Sequence, residues 1–150
     1  MNNYENIIYS FERTIIIWDL SLKTVDTILE QQHTDCINAL ATTGSLTTNY
    51  LISGSDDQTI RYWSITSPYS YQGILFNATS AVNALAVNSN NNNNFLVAGL
   101  TNGTIIVFNI TNNGLFNPIK ILNGHSDSIT DLKFINNNNL ASSSKDKVAY

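Results

Sequence analysis

A serine, a histidine and an aspartate are the side chains of this sequence that most invite a catalytic interpretation. Ser53, His33 and Asp57 are the residue types of a hydrolytic triad, in which an imidazole takes the serine proton and a carboxylate orients the ring. That serine must stand on a strained turn beside an oxyanion hole, within a Gly-x-Ser-x-Gly pattern. The surrounding stretch, Ser53-Gly-Ser-Asp, lacks this pattern. We therefore assign no catalytic residue and expect the chain not to be an enzyme.

The side chains that could bind a metal ion are not spaced as in known metal sites. The sequence has one cysteine, Cys36, which rules out an internal disulfide and a zinc site made of several cysteines. We expect this residue to be a small filler at the start of a strand. The two histidines, His33 and His125, are far apart, and no carboxylate or thiol follows either one at a ligand spacing. Because phosphate-binding glycine loops are also missing, we expect no metal and no other cofactor.

The composition excludes several classes of partner. Charged residues make up 12% of the chain, and seven Lys and Arg stand against eleven Asp and Glu, for a net charge of -4. Since phosphate contacts require clustered cations, we expect no binding to nucleic acid. No apolar run approaches the roughly 18 residues of a membrane span, and no secretory pattern begins the chain. We expect an intracellular protein, in the cytoplasm or alternatively in the nucleus, that does not bind membranes.

Three stretches of the sequence superpose at 45-residue intervals. Each contains Thr-Ile and, four residues after the threonine, an aromatic residue, which is Trp18, Trp63 or Phe108. A fourth copy begins at Ser142, and its aromatic would fall beyond Tyr150. Short runs rich in Ile, Val, Thr and aromatics, separated by turn residues, are typical of β-strands. A fixed period of this length indicates a repeat architecture.

These repeats resemble the WD40 repeat over nearly the whole chain, from about residue 7 to residue 150. The motifs that carry the resemblance are Trp18-Asp19, Ser53-Gly-Ser-Asp-Asp57-Gln-Thr-Ile-Arg-Tyr-Trp63 and Gly124-His125. The resemblance implies an all-β fold, a partial β-propeller of about three to four antiparallel four-stranded blades that this chain alone does not close into a ring. Residues 1–150 then form one domain, with repeats at roughly 1–30, 31–76, 77–122 and a truncated 123–150.

The resemblance also implies four strands, a to d, in each blade. Strands a are expected near 36–41, 82–87 and 129–134, and strands b near 7–10, 50–55, 95–99 and 140–144. Strands c are expected near 14–19, 59–65, 104–110 and 147–150, and strands d near 24–30, 71–76 and 118–122. One alternative stays open, because Val25, Ile28 and Leu29 have helical spacing and an isolated helix over 23–32 competes with the first strand d. Pro68 and Pro118 are expected in connecting loops.

In WD40 repeats a histidine, a serine, an aspartate and a tryptophan form a buried structural network. The resemblance carries this network over to His33, Ser53, Asp57 and Trp63. A second, partial network is expected from His125, Ser142 and Asp146. The third repeat has Ala78, Ala98, Asn102 and Phe108 at the four positions, so we expect its blade to rely on apolar packing.

The polar stretches between strands separate the two ends of the expected propeller. Asparagine-rich or polar segments at 42–49, 88–94 and 136–139 all fall between strands a and b, so they would emerge at one end. We take them for solvated loops without a constrained role. A surface for partners is then expected at the opposite end, with Asp56, Thr101 and Lys145 as its candidate residues.

The resemblance implies a non-catalytic protein-interaction scaffold or adaptor whose partners are other proteins. One alternative is a fragment of the targeting propeller of a larger enzyme, such as a kinase or a ubiquitin ligase. Another is a truncated gene product without independent function. WD40 propellers usually close with seven blades, and about three and a half repeats are present. The chain could therefore be part of a longer product, close a ring with a second copy or another chain, or stand as an open arc.

Overall fold

The computed structural model describes residues 6–43, 49–89, 94–110 and 116–147. Thirteen β-strands run through these ranges. None of the ranges contains a helix long and apolar enough to cross a membrane. The strands are β1 (Asn6–Phe11), β2 (Thr14–Asp19), β3 (Thr24–Leu29), β4 (Ile37–Thr42), β5 (Tyr50–Ser55), β6 (Thr59–Ser64), β7 (Ser70–Asn77), β8 (Val82–Ser89), β9 (Asn94–Leu100), β10 (Ile105–Ile110), β11 (Phe116–Leu122), β12 (Ile129–Phe134) and β13 (Leu140–Ser144).

The strands form four antiparallel sheets, which we call the first to fourth blades. Their hydrogen-bonded orders are β1-β2-β3, β4-β5-β6-β7, β8-β9-β10-β11 and β12-β13. The second and third blades each have the complete set of strands a to d, in chain order. This confirms the all-β fold and the arrangement of part of a propeller. From residue 148 onward, the strand c expected at 147–150 lies outside the described residues.

The alternative of a helix over 23–32 is wrong, because that segment contains β3. The strand pairs with β2, and Ile15 lies opposite Leu29 in the register. Leu29 is buried, whereas the side chains of Val25 and Ile28 are 42% and 60% exposed. The helical spacing of these three residues therefore marks no common apolar face. It arises because β3 is an outer strand with apolar residues on its solvent side.

Pro118 also differs from the expectation, since it lies within β11 and not in a loop. It stands opposite Phe108, at an irregularity in the pairing of β10 with β11. A proline cannot donate a ladder hydrogen bond, so it is tolerated on an edge strand or at a bulge. β11 meets both conditions within the described sheet.

Two glycines let neighbouring blades approach each other closely. A Cβ atom added to Gly54 in β5 would come within 2.5 Å of Val82 Cγ1 in β8. One added to Gly99 in β9 would clash with Ile129 in β12. Both positions are the same place in strand b, facing strand a of the following blade. A side chain there would push the blades apart, so the repeat spacing depends on these residues.

Strand a has the same irregular register in three blades. In two of them, an asparagine at the irregularity forms a hydrogen bond to the next blade. The bulges lie between Ile37 and Ala39 in β4, and at the matching places in β8 and β12. The amide of Asn38, the extra residue in β4, donates to the carbonyl oxygen of Val82 at 3.3 Å. Asn83 in β8 donates in the same way to Ile129 O at 3.3 Å. Bulges thus aim two asparagine amides across the blade boundary.

The apolar core lies between the blades. The three clusters of buried hydrophobic residues each join one blade to the next. They are centred on Ile15, Leu29, Leu51 and Trp63; on Ile60, Val82, Leu96 and Phe108; and on Val97, Ile105, Ile129 and Leu132. Each blade therefore depends on its neighbour to bury its faces, as in other repeat proteins.

Candidate functional site

Four side chains of the second blade form a continuous chain of hydrogen bonds. His33 lies just before β4, Ser53 in β5, Asp57 in the β5–β6 turn and Trp63 in β6. The Trp63 indole Nε1 donates to Ser53 Oγ at 3.0 Å. Ser53 Oγ lies 2.7 Å from His33 Nε2, and His33 Nδ1 lies 2.8 Å from Asp57 Oδ2. The structure thus brings together the four residues that the sequence selects.

The protonation states determine which group donates and which accepts in each hydrogen bond of this network. Burial, the largest influence, would raise the pKa of Asp57, but hydrogen bonds from Thr59, His33 and the backbone lower it to about 2. Burial also lowers the pKa of His33 from its usual value and outweighs the opposing effect of Asp57. At neutral pH the ring is therefore uncharged, with its proton on Nδ1 donated to the carboxylate. His33 Nε2 then carries no proton and accepts. Because the Trp63 indole can only donate to Ser53 Oγ, the proton of the Ser53 hydroxyl is left to donate to His33 Nε2.

Thr59 and Arg61 belong to the network, although the sequence analysis did not single them out. Thr59 Oγ1 and its backbone N–H donate to Asp57 Oδ1 at 2.6 and 2.9 Å. The Arg61 guanidinium donates through Nε to Thr59 Oγ1 at 3.0 Å and lies 3.6 Å from Asp57 Oδ2. The repeated Thr-Ile pair is the signal that could have identified Thr59. The repeat does not mark Arg61, because Ile16 and Ile106 stand at its position in the other two copies.

The geometry of Ser53, His33 and Asp57 matches that of a hydrolytic triad, but the surroundings leave no room for a substrate. Ser53 is 0% exposed and Trp63 is 1% exposed. The serine oxygen that would have to attack already accepts the indole N–H. A nucleophile needs open space beside its oxygen and donors for the oxyanion. This arrangement instead satisfies buried polar groups that would be costly to leave unpaired.

The fourth blade contains the same arrangement of a histidine, a serine and an aspartate. His125 Nδ1 lies 2.9 Å from Asp146 Oδ2, and His125 Nε2 lies 3.0 Å from Ser142 Oγ. The backbone N–H of Ser126 donates to Asp146 at 2.8 Å, as Thr34 does to Asp57 at 3.0 Å. These contacts join the segment before β12 to the turn after β13.

The third blade fills the equivalent space with apolar groups. Ala98 and Phe108 are both fully buried. The Phe108 ring packs edge-on against Phe76, with their centroids 5.2 Å apart. Asn102, at the position of Asp57, is exposed, and its Oδ1 accepts from the backbone N–H of Thr104 at 3.1 Å.

The three residues expected to face partners occupy one repeated backbone position. The backbone N–H groups of Asp56, Thr101 and Lys145 each donate at 2.9 Å to a carbonyl oxygen before strand a of the same blade. Asp56 and Lys145 are exposed, whereas Thr101 is half-buried. The carboxylate of Asp56 also accepts from the Asn38 amide at 2.6 Å.

Cys36 is not a buried filler, which corrects the expectation from sequence. The strand begins one residue later, at Ile37, so the thiol lies on the turn and is exposed. Its sulfur and one carboxylate oxygen each of Asp35 and Asp56 all lie within 4.8 Å of one another. All three side chains are exposed, and exposed acidic groups commonly gather without an ion, so we assign no metal to them.

At the other end of the blades, the asparagine-rich segments of the third and fourth blades contact each other. The amide of Asn88, near the end of β8, donates to the carbonyl oxygen of Asn137 in the β12–β13 loop at 3.1 Å. Asn88 and Ser89 belong to β8 and Asn94 belongs to β9, so the loop expected over 88–94 is shorter than predicted. Residues 44–48 and 90–93 of these polar segments lie outside the described residues.

Comparison with known proteins identifies the repeats. The family model described as "WD domain, G-beta repeat" matches residues 23–64, 70–109 and 116–150. The chain belongs to the WD40 family. Propellers of this family generally mediate protein–protein interactions and are generally not catalytic. None of the curated proteins matches this WD40 chain.

Solved structures of similar shape agree with this assignment. The structure titled "Structure of U3-55K" matches 93% of this chain with a TM-score of 0.77 and 16% sequence identity. The present chain spans 42% of that protein's length. At this identity the likeness shows the fold alone. As many as 560 chains of solved structures match, so the fold by itself selects no partner.

Proposed function

We propose that this WD40 chain is a non-catalytic adaptor that displays loops to other proteins on a rigid set of blades. We treat residues 1–150 as one module with the four repeats at roughly 1–30, 31–76, 77–122 and 123–150. The observation that carries the proposal is the repeated backbone position of Asp56, Thr101 and Lys145. Its hydrogen bond to the start of strand a has the same length in three blades.

A constant backbone that presents different side chains is well suited to recognition. The three blades place an acid, a hydroxyl and an amine at the same position of the b–c turn. Since the backbone is fixed by its own hydrogen bonds, little ordering is needed when a partner binds. The opposite end carries the asparagine-rich loops, which offer few charged or apolar groups.

The distribution of charge favours a partner with two regions of opposite sign. Asp35 and Asp56 are exposed on the second blade, whereas two exposed lysines, Lys145 and Lys147, outnumber the exposed Asp127 on the fourth. A complementary partner would place a basic group at the second blade and an acidic group at the fourth. In this proposal the network of His33, Ser53, Asp57 and Trp63 holds the second-blade turn in position and does not contact the partner.

Charge reversal tests this surface. We expect Asp56→Lys and Lys145→Glu each to reduce partner capture about tenfold, as for the loss of a well-placed polar contact. Captured proteins would be quantified by mass spectrometry against the unchanged chain. The matched control is Asn138→Lys, which adds a charge at the exposed opposite end. Equal capture by the unchanged chain and both reversals, or equal losses with the control, would contradict the proposal.

A further inference from the structure

A groove of about 490 Å³ lies between the outer strands of the first and second blades. Residues 27–30, at the end of β3, form one wall, and residues 69–71, at the start of β7, form the other. The buried Trp63 and the half-buried Gln32 also line it. We call this space the rim groove. All of these residues lie in the interior of the described ranges 6–43 and 49–89.

The matching boundary between the second and third blades is filled by the chain's own side chains. Phe76 and Leu29 hold the same place in the outer strand, each opposite the isoleucine of the Thr-Ile pair in strand c. The Phe76 ring packs edge-on against Phe108, which has the repeat position of Trp63. Because a leucine is smaller than a phenylalanine, the boundary of the first and second blades keeps open space beside its aromatic residue.

The wall from the second blade presents aromatic rings that can hold a cation. Tyr69 and Tyr71 are both half-buried, and the Tyr71 ring lies 5.0 Å from that of Trp63, measured between centroids. The chain already places a guanidinium on one of these rings, since Arg61 Cζ lies 5.8 Å from the Tyr71 centroid. Aromatic faces attract cations, and a planar guanidinium stacks on them. No cation of the described residues packs on Tyr69, so its ring is available to a ligand.

The rim groove carries negative charge, and no lysine or arginine is among its described lining residues. The Glu30 carboxylate lines it, is exposed, and forms no hydrogen bond or ion pair with the described part of the chain. The Asp26 carboxylate accepts from the Tyr69 hydroxyl at 2.5 Å. This hydrogen bond, burial and the negative charges of Asp26 and Asp19 raise the pKa of Tyr69 to about 12. A cationic ligand would therefore find complementary charge.

The outer edge of β3 lies along the rim groove. Among the described residues β3 pairs only with β2, as β7 pairs only with β6 and β11 only with β10. An open outer edge is thus a feature of strand d in each of the three blades. Residues 27–29 of β3 line the groove, so their backbone borders the same space as the tyrosine rings. An extended segment can pair with such an edge and direct a side chain into the space beside it.

We propose that the rim groove binds an arginine carried on an extended segment of a partner protein. The guanidinium packs on the Tyr69 ring and forms an ion pair with Glu30. The segment that carries it lies along the outer edge of β3. This site is separate from the surface of Asp56, Thr101 and Lys145, and it does not require that surface to bind a partner.

Short capped peptides test this proposal. The probe is the pentapeptide acetyl-Thr-Ser-Arg-Val-Thr-amide, titrated into the 15N-labelled chain. We expect saturable NMR shifts of the backbone amides at 27–32 and 69–71. Replacing the peptide's arginine with citrulline, which has nearly the same shape without the charge, should weaken binding about tenfold. Replacing it with lysine should weaken binding about threefold, because an ammonium group lacks the planar face that stacks on an aromatic ring.

Two variants of the chain locate the site. Glu30→Gln should weaken the arginine peptide about tenfold and leave the citrulline peptide nearly unchanged. Glu12→Gln is the matched control, because it removes the same charge from an exposed position of the first blade outside the groove. It should change the affinity by less than about twofold.

Several outcomes would overturn the proposal. They are equal affinity of the arginine and citrulline peptides, equal losses from the two glutamate variants, shifts confined to other surfaces, and no binding to the folded chain. Equal affinity of the arginine and lysine peptides would overturn the packing of the guanidinium on Tyr69.

Discussion

In the second blade the buried aromatic is an indole held by a hydroxyl, whereas in the third it is a phenyl ring packed against another phenyl ring. The surrounding backbone is the same in both, with strands a to d in the same order and bulges at the same place in strand a. Trp63 and Phe108 are each no more than 1% exposed. The comparison shows that the blade requires an aromatic ring that fills this buried position, but does not require that ring to form a hydrogen bond.

The two blades also show what the polar network adds. The b–c turn is closed by a side-chain oxygen in both, since Asp57 accepts from the Thr59 N–H and Asn102 accepts from the Thr104 N–H. The difference lies upstream, where His33 ties the segment before β4 to Asp57. In the third blade the corresponding ties to Asn102 are 3.3 Å contacts with Thr79 and Ser80. The network therefore orders the loop before strand a, which belongs to the proposed partner-facing end.

The largest expected effect comes from emptying the shared aromatic position in each blade. Trp63→Ala and Phe108→Ala should each lower the free energy of unfolding by about 3–5 kcal/mol, from lost burial and a residual cavity. Trp63→Ala should cost more, because it also removes one partner of Ser53. Urea denaturation of both variants beside the unchanged chain measures the difference. A greater loss from Phe108→Ala would show that the network contributes no stability of its own.

A smaller effect is expected from exchanging the turn residues of the two blades. Asp57→Asn should lower the free energy of unfolding by about 2 kcal/mol, because an amide has one acceptor oxygen where the carboxylate accepts from Thr59, Thr34 and His33. The reverse exchange, Asn102→Asp, is the matched control. It lies at an exposed position and should change stability by less than about 0.5 kcal/mol. Both values come from urea denaturation at neutral pH. Equal losses from the two exchanges would contradict the inference that the turn residue contributes more to stability in the second blade than in the third.

The strands and the network members could be predicted from sequence because the repeat encodes them locally. The period fixes the strands, and the spacing of Asp57 and Trp63 places both on one hairpin. The resemblance then supplies the upstream histidine, His33. The strands and side chains that recur at the same position of each repeat can thus be predicted without a structure.

The remaining features depend on contacts between blades, on contacts between strands of one blade, or on where a strand begins, none of which the repeat pattern contains. The bulge in β4 makes Asn38 point to Val82 in the next blade, and no local signal marks that amide. Arg61 joins the network through Thr59 and reaches the Tyr71 hydroxyl on β7. Cys36 was misplaced because the strand starts one residue later than the repeat suggested. The spacing in β3 was ambiguous because an outer strand exposes apolar residues.

The smallest effect, and the one that separates the blades most cleanly, is the response to acid. The pKa of Asp57 is about 2 in the folded chain against an ordinary value of 3.8. A carboxyl with a lowered pKa contributes stability that is complete above its ordinary value and is lost as the pH falls through about 2. The lowered pKa of His33 acts in the same direction, because the unfolded chain takes up its proton first as the pH falls below 6.5.

We therefore expect the stability advantage of the unchanged chain over Asp57→Asn to shrink by about 1 kcal/mol between about pH 5 and about pH 2.5. The full linkage value is larger, because a carboxyl with a pKa of about 2 is still mostly charged in the folded chain at pH 2.5. Asn102→Asp should follow the unchanged chain across this range, because its turn lacks a histidine partner. Urea midpoints at matched ionic strength give the comparison. A constant difference between the unchanged chain and Asp57→Asn would mean that the carboxylate is not held in its charged form by the network.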